Sequence, residues 1–324
     1  MAEVIAAVGA GRMGRGIAIA FAYAGHPVHL VDVKEREAAD FARLAEEAQA
    51  EISATLAMLA DFGLLAMEEV GAVAARVRCF DRASAGEALA EADVIFEGVP
   101  ETLEAKEACF ALVSETARAD AIIASTTSTI LSNDLQGFVQ HPGRFLNAHW
   151  LNPAFLVPLV ELSPGDATDP AATDRLKALL ERIGKVPVVC KASPGYIVPR
   201  IQAMAMNEAA RMVEEGVATP EDIDKATTYG FGFRFAILGM LEFIDWGGGD
   251  ILYYASRYMT EAMQSDRFSS PQIIADNMGS GRTGLRDGQG FLNYDGLDVP
   301  AYQKARLGQF VAMLRHLDKM PVRG

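Results

Sequence analysis

Two side chains, His149 and Glu161, have the types and the spacing that proton transfer requires. His149 ends an apolar stretch at 145–149 and Glu161 lies in the next one, at 159–162, so both are expected on strands. An imidazole titrates near neutral pH and can take a proton from a hydroxyl group. A carboxylate bonded to its other ring nitrogen would orient it. A histidine at a strand end is also common as a structural group, so a second feature must support this chemistry.

That second feature is a glycine-rich turn after the first apolar run of the chain. The turn contains Gly9, Gly11, Arg12, Met13 and Gly14. A helical pattern follows, and another apolar run at 28–31 leads directly to Asp32. The order of strand, Gly-x-Gly-x-x-Gly, helix, strand and acid is the fingerprint of a dinucleotide-binding unit, although a glycine turn also occurs for purely structural reasons.

Each residue of this fingerprint has an expected role. Gly9 permits the tight turn, Gly11 lets the backbone approach a pyrophosphate, and Gly14 lets the helix pack closely on the strand. The helix N-terminus presents free N–H groups and a partial positive charge to the phosphates. Asp32 is placed to accept hydrogen bonds from the adenosine ribose, and its charge would repel a 2′-phosphate. The sequence therefore predicts NAD, rather than NADP, as the cofactor.

The elements that must carry these residues form a regular series. Strand patterns alternate with helical patterns up to about residue 190, which predicts an α/β fold with a doubly wound, Rossmann-type sheet over 1–190. Ligands of such sheets bind at the carboxyl ends of the strands, where this sequence has polar residues. The polar positions are 9–14, 32, 98–101, 125–128 and 149.

The pattern changes at residue 191, after which no convincing strand follows. Helical periodicity predicts helices at 198–215, 220–229 and 242–264, so we expect 191–324 to be an all-helical substrate and dimerisation domain. This region has more apolar residues than one helical domain of its size can easily bury. A homodimer is therefore expected.

Composition narrows the class of partner to a small molecule. The formal net charge of −14 argues against nucleic acid or an anionic membrane as a partner. No run of 18 apolar residues is present, so no transmembrane helix is expected. Cys79, Cys109 and Cys190 are scattered without metal-ligand spacing, which predicts free thiols and no metal site. The N-terminus lacks a basic, apolar leader, so a cytoplasmic location is expected.

Six segments, spread over nearly the whole chain and in family order, resemble the L-3-hydroxyacyl-CoA dehydrogenase family. They are residues 9–14, 100–106, 124–128, 149–161, 194–198 and 288–291. The resemblance implies that Glu101 and Lys106 contact the nicotinamide end of NAD and that Ser128 lies at the reacting hydroxyl. It makes His149 and Glu161 the catalytic pair.

The same resemblance implies that Asn152 contacts substrate and that Arg286 replaces a late lysine that faces NAD. Structural alternatives exist for three of the implied site residues. Glu101 is also suited to the first turn of a helix, Lys106 to a solvated helix face, and Ser128 to a helix cap.

The sequence departs from the family pattern at three places. Pro199 occupies the position of an asparagine that assists the substrate carbonyl, and proline cannot donate a hydrogen bond. No lysine or arginine lies between Arg43 and Arg76, where relatives that bind CoA carry lysines. Arg234 lies in a segment that usually reads Pro-Met-Gly-Pro in acyl-CoA members, and here resembles L-gulonate and carnitine dehydrogenases. An arginine can bind a carboxylate, although a surface ion pair is the alternative.

Three functions follow as expectations. The first is NAD-dependent, reversible oxidation of the 3-hydroxyl of an L-3-hydroxyacyl-CoA, such as 3-hydroxybutyryl-CoA in fatty acid metabolism. The second is the same oxidation of a free L-3-hydroxy acid whose carboxylate is bound by Arg234. The third is a non-catalytic NAD-binding protein, because one relative of the family is a lens crystallin and Pro199 removes a donor.

Overall fold

The computed structural model describes residues 2–322. The chain forms two compact units, the first ending at Met206 and the second beginning at Asn207. This division falls within the continuous helix Val198–Glu214, so a domain boundary between 190 and 191 stays a prediction. Across residues 2–322, no helix combines the length and apolarity that crossing a bilayer requires.

The first unit is built on one eight-stranded sheet. Its strands are β1 Ile5–Val8, β2 Val28–Val31, β3 Val77–Phe80, β4 Val94–Glu97, β5 Ile122–Ser125, β6 Phe145–Trp150, β7 Leu159–Pro164 and β8 Val186–Val189. Their order across the sheet is β3-β2-β1-β4-β5-β6-β7-β8. All neighbours are parallel except β6 and β7, which are antiparallel. The predicted doubly wound, mostly parallel sheet is confirmed.

Helices cover both faces of this sheet. Those of the first unit are α1 Arg12–Tyr23, α2 Ala38–Asp61, α3 Val70–Ala74, α4 Ala85–Glu91, α5 Leu103–Thr116, α6 Ser132–Leu135 and α7 Pro170–Arg182, and α8 Val198–Glu214 begins in it. Strand β1 shows why its sequence is an unbroken apolar run. Ile5 and Ala7 pack into the core on one face, and Ala6 and Val8 pack into the core on the other.

The second unit is helical, as predicted. Its helices are α9 Pro220–Ala226, α10 Phe233–Phe235, α11 Met240–Gly247, α12 Gly249–Ala262, α13 Gln272–Gly279 and α14 Val299–His316. The single helix predicted at 242–264 is wrong, because α11 and α12 are separated at Gly248, whose φ of +101° lies outside the helical region. The helix predicted at 220–229 ends at Ala226 and continues as a π-helical turn, Thr227–Gly232.

A buried carboxylate holds the loop that contains residues 288–291, the family-like segment of the second unit. Asp245 is 2% exposed and accepts hydrogen bonds from the backbone N–H groups of Phe291 and Leu292 and from the hydroxyl of Tyr294. A Cβ at Gly290 would collide with the Asp245 carboxylate. The segment 288–291 therefore has a structural role, which is to anchor this loop to α11.

Candidate active site

The register of the one antiparallel strand pair places His149 opposite Glu161. The Nδ1 atom of His149 lies 2.8 Å from Oε2 of Glu161, and both side chains are buried. Because Nδ1 is committed to the carboxylate, it carries the proton of the neutral ring, and Nε2 is the nitrogen that can accept another proton. The structure thus forms the pair that the sequence predicted.

The other oxygen of Glu161 is held by the start of a helix. Oε1 accepts hydrogen bonds from the N–H groups of Ile197 at 2.9 Å and Val198 at 2.8 Å, where α8 begins. These amides carry the partial positive charge of the helix N-terminus, which stabilises an ionised carboxylate. Sequence reasoning missed these two donors, although the turn at 193–195 before a helical pattern was a usable signal.

The position of Pro199 is compatible with this arrangement. The N–H of Arg200 donates to the carbonyl of Gly195, and the N–H groups of Ile197 and Val198 donate to Glu161. Proline lacks an N–H, but it lies in the first turn of α8, where the backbone does not need one. The departure from the family asparagine therefore removes a side-chain donor without costing the helix a hydrogen bond.

Glu101 holds the backbone of the turn that contains Ser128. Its Oε1 accepts hydrogen bonds from the N–H groups of Ser128 at 3.1 Å and Thr129 at 3.2 Å, and from the hydroxyl of Thr127. Partial burial opposes ionisation of this carboxyl, but the bond from Thr127 and the charge of Lys106 outweigh it and lower the pKa of Glu101. The exposed Ser128 precedes the cap of α6 by three residues, so it is not the cap of that helix.

Lys106 is enclosed by the protein and does not lie on a solvated helix face. It is 1% exposed, and its Nζ lies 3.0 Å from both carboxylate oxygens of Glu97 and 3.3 Å from Oε2 of Glu101. Glu97, which sequence reasoning did not select, also accepts hydrogen bonds from the hydroxyl of Ser125 at 2.6 Å and the N–H of Val99 at 2.9 Å. A glutamate that ends an apolar strand was the signal for it.

The glycine turn has the geometry that the fingerprint predicts. Gly9 has a φ of +102°, and a Cβ there would lie 2.6 Å from the carbonyl oxygen of Gly98. A Cβ at Gly14 would collide with the carbonyl of Gly9. At Gly11, by contrast, no described atom lies within 4 Å of the Cβ position. The fold therefore requires glycine at the first and third positions, whereas packing within the described residues does not require it at the second.

Asp32 lies beside a cavity of about 610 Å³ at the carboxyl edge of the sheet, whose lining includes Gly11, Gly98 and Arg36. Asp32 is 5% exposed and accepts a hydrogen bond from Nε of Arg36. Sequence reasoning did not anticipate this arginine, which lies four residues further along the chain. Arg12 and Met13 begin α1 behind the glycine turn, so the positive end of that helix lies next to the lining residue Gly11. These features fit the ADP half of NAD.

Three further predicted residues are exposed. Asn152 follows β6 in the first unit. Arg234 belongs to the second unit, where its Nε donates to the carbonyl of Gly230 at 3.0 Å and its guanidinium lies 5.1 Å from the ring centre of Phe243. Arg286, in the same unit, pairs with Asp250 at 3.2 Å. Arg234 has no carboxylate partner among the described residues of its own unit, so the surface ion pair considered from the sequence is absent there.

Comparison with known proteins identifies the family. The model of the 3-hydroxyacyl-CoA dehydrogenase NAD binding domain matches residues 4–193, and that of the family's C-terminal domain matches residues 195–294. The chain is 30% identical over 319 residues to a 5-formyl-3-hydroxy-2-methylpyridine 4-carboxylate 5-dehydrogenase of Mesorhizobium japonicum, covering 98% of this chain and 99% of that protein. It is 36% identical over 255 residues to a lambda-crystallin homolog of Bos taurus, covering 78% and 77%.

A solved structure agrees with these sequence matches. The 3-hydroxyacyl-CoA dehydrogenase of Archaeoglobus fulgidus superimposes with a TM-score of 0.78 at 29% identity, covering 98% of this chain and 100% of that one. The chain belongs to the 3-hydroxyacyl-CoA dehydrogenase family and is an NAD-dependent oxidoreductase that acts on CH–OH groups.

Proposed function

We propose that this protein oxidises the 3-hydroxyl of a small L-3-hydroxy acid with a free carboxylate to the 3-keto acid, reversibly and with NAD. The observation that carries the dehydrogenase chemistry is the 2.8 Å bond between Nδ1 of His149 and Glu161, on the same sheet as the glycine turn. A buried imidazole oriented by a carboxylate is typical of a catalytic base, and a non-catalytic NAD-binding protein does not need one. The choice of a free acid rests instead on the lack of cations in residues 44–75 and on Arg234.

The residues that would hold the cofactor lie at the carboxyl ends of β1, β2 and β4. Gly9 and Gly11 would receive the pyrophosphate with the start of α1, and Asp32 would accept bonds from the adenosine ribose. Glu101 would face the nicotinamide end of the cofactor. Lys106 would hold Glu101 in place rather than contact NAD, because the Lys106 ammonium group is buried between Glu97 and Glu101. When bound, NAD supplies the acceptor for the hydride that leaves the carbinol carbon.

His149 is the proposed base of the reaction. Its Nε2 takes the proton of the substrate hydroxyl as the carbon–oxygen double bond forms, and the ring becomes an imidazolium. Glu161 stabilises that positive charge and keeps Nε2 directed toward the substrate. In the reverse direction the same nitrogen returns the proton to the ketone oxygen.

Ser128 is the proposed donor to the reacting oxygen. Its side chain is exposed, whereas its backbone is held by Glu101, so the hydroxyl is available on a rigid turn. With Pro199 in place of an asparagine, this serine is the site donor that the family pattern retains.

The charge of the helical hairpin after β2 is the reason for preferring a free acid over a CoA thioester. Lysine and arginine are absent from residues 44–75. The exposed acids of this hairpin are Glu46, Glu47, Glu51, Asp61, Glu68 and Glu69. Among residues 2–322, only Glu51 of this set has a cationic partner, Arg15. Such a surface repels the phosphates of CoA, which need cations or free helix N-termini.

Arg234 is the proposed ligand of the substrate carboxylate. Its guanidinium is exposed on an aromatic ring and is bonded to a backbone carbonyl, which leaves donors for a second acceptor. The relative from Mesorhizobium japonicum, similar over almost the whole chain, is named for a substrate that bears a carboxylate. The name applies to that protein, and it supports the proposal for this one.

An L-3-hydroxyacyl-CoA, such as 3-hydroxybutyryl-CoA, is the second candidate substrate and was the first expectation from the sequence. The similarity over 98% of the chain to a solved 3-hydroxyacyl-CoA dehydrogenase favours it. CoA can also bind largely through its pantetheine arm, with few contacts to its phosphates. The two candidates share the chemistry of His149 and differ only in what holds the rest of the substrate.

A substrate screen tests the proposal. Purified protein and NAD are mixed with free 3-hydroxy acids or with 3-hydroxyacyl-CoA thioesters, and NADH formation is followed by absorbance. We expect kcat/KM to be higher for at least one free acid than for any thioester. Activity on thioesters alone would assign the protein to the second candidate, and no activity on either class would reject both.

We also propose that the protein is a cytoplasmic homodimer. Helix α14 and α8 contain no buried residue in the single chain, and Met204 and Met206 on α8 are 72% and 69% exposed. An apolar surface of this kind is typical of a subunit interface. Light scattering at micromolar concentration should give twice the mass of the 34.8 kDa chain, and a monomer would reject the dimer.

The state of the cysteines supports the cytoplasmic part of this proposal. Cys79, Cys109 and Cys190 are free thiols, which are typical of a reducing compartment.

A further inference from the structure

Tyr196 is a bulky residue in an unusual backbone conformation next to the catalytic pair. Its φ is +43°, in the left-handed region that side chains other than glycine and asparagine rarely adopt. Tyr196 is nevertheless only 4% exposed, so its side chain is packed inside the first unit. A large residue held in this conformation indicates a constraint imposed by its surroundings.

The side chain of Tyr196 connects two parts of the site. Its ring stacks on the imidazole of His149, with ring centres 5.8 Å apart and an angle of 26° between the planes. Its hydroxyl donates a hydrogen bond of 2.9 Å to the carbonyl of Ile130. Burial raises the pKa of Tyr196, so the phenol stays protonated and remains a donor at neutral pH.

We propose that Tyr196 is a positioning residue for the oxidation, whose ring fixes the plane of the His149 imidazole and whose hydroxyl fixes the turn that carries Ser128. This inference rests on the proposed role of His149 as the base. It assigns two separable functions to one side chain, because the ring and the hydroxyl contact different elements.

The need for the ring follows from how His149 is held. The bond from Nδ1 to Glu161 fixes one point of the imidazole but allows the ring to tilt about that bond. A second aromatic plane stacked on the ring opposes the tilt and keeps Nε2 in one direction. Since Ile197 and Val198 donate to Glu161, the turn that presents Tyr196 also fixes the partner of His149.

The need for the hydroxyl follows from how the Ser128 turn is held. Glu101 binds its N–H groups at Ser128 and Thr129. Tyr196 binds the carbonyl of Ile130 at the end of the same turn. Removing the hydroxyl would free the carbonyl of Ile130, while Glu101 and the side-chain amide of Asn147 still hold the turn at residues 127–129. The looser end of the turn should affect how well Ser128 meets the substrate.

Two variants separate the functions. Tyr196→Leu removes the ring and the hydroxyl, and we expect kcat to fall about tenfold. Tyr196→Phe keeps the ring, so kcat should return to within about twofold of the natural protein, while KM for the hydroxy substrate rises about threefold. The matched control is Tyr294→Phe, which removes a buried hydroxyl bonded to Asp245 in the second unit and should leave kcat and KM unchanged.

A double variant distinguishes positioning from a general loss of structure. If the ring acts through His149, the kcat of the double variant His149→Ala with Tyr196→Leu should be no lower than that of His149→Ala alone. A lower kcat in the double variant would overturn the inference, and so would a kcat of Tyr196→Leu within about twofold of the natural value. An active His149→Ala variant would instead reject the proposed function. Should Tyr196→Leu not fold, Tyr196→Phe decides, and an unchanged KM would overturn the proposal.

Discussion

Glu97 and Lys106 form an ion pair that is closed off from solvent at the carboxyl end of β4. Glu97 is 0% exposed and Lys106 is 1% exposed, and the ammonium nitrogen lies 3.0 Å from both carboxylate oxygens. Because Lys106 also reaches Glu101, the pair supports the group that holds the Ser128 turn. A buried pair of this kind is costly to break, since removing one partner leaves an uncompensated charge.

Lys106→Met should therefore lower the free energy of unfolding by about 3 kcal/mol, because it leaves the buried charge of Glu97 without a cation. Glu97→Gln should lower it less, because Lys106 keeps Glu101 at 3.3 Å. The double variant removes both charges of the pair, so it should be more stable than Lys106→Met. Urea denaturation gives the comparison. Lys177→Met, which breaks the exposed pair with Glu181 at 3.6 Å, is the control and should cost less than about 1 kcal/mol. A double variant less stable than Lys106→Met would contradict this account.

Turnover should depend on His149 and Glu161 to different degrees. His149→Ala removes the proposed base and should lower kcat by about a hundredfold or more. Glu161→Gln should lower kcat less than His149→Ala does. The imidazolium of His149 loses its counter-charge in this variant, but the glutamine side chain still holds the ring in position. The dissociation constant of NAD, measured by fluorescence titration, should change by less than about twofold in both. His316→Ala, at the exposed end of α14, is the control. Near-full activity of His149→Ala would disprove the mechanism.

Cofactor choice should depend on Asp32. We expect kcat/KM for NAD to exceed that for NADP by at least about tenfold, or about 1.4 kcal/mol, because the carboxylate repels a 2′-phosphate. Asp32→Asn should reduce this ratio, the more so because Arg36 then faces the phosphate without its counter-charge. Asp40→Asn removes an exposed acid bonded to Arg43 on α2 and should leave the ratio unchanged. Equal use of both cofactors by the natural protein would refute the expectation.

The parts of the fold that follow short-range rules could be predicted from the sequence. The glycine turn, the strand that leads to Asp32 and the helix–strand alternation depend on local patterns, so β1 and β2 lie where the apolar runs predict. The pair of His149 and Glu161 could also be predicted, because the family resemblance linked two strands that are 12 residues apart at these positions.

Long-range contacts between side chains could not be predicted in this way. The bonds from Ser125 to Glu97 and from Tyr196 to Ile130 join elements whose approach depends on the packing of the whole sheet. Periodicity also failed at Gly248, since apolar residues at helical spacing continue across a glycine that leaves the helical conformation. A pattern averaged over a window does not register one residue with a positive φ.

The identity of the substrate depends on Arg234, and a paired measurement tests it. If its guanidinium binds a free carboxylate, Arg234→Met loses a charge-assisted hydrogen bond of about 1.5–3 kcal/mol. We then expect kcat/KM on a free 3-hydroxy acid to fall about tenfold or more, while any activity on an acyl-CoA stays level. Substrate affinity, rather than folding, is the property that should change, because Arg234 is exposed.

Arg257→Met is the matched control for this measurement. Arg257 is also an exposed arginine of the second unit, and it lies 5.4 Å from the ring centre of Tyr253, much as Arg234 lies over Phe243. Its loss should leave both substrates unaffected, so a general effect of removing a cation from this acidic protein is excluded. If Arg234→Met weakens both substrates equally, or neither, the arginine does not bind the carboxylate. The acidic hairpin would then be the only remaining physical argument for a free acid, and the CoA thioester would become the better assignment.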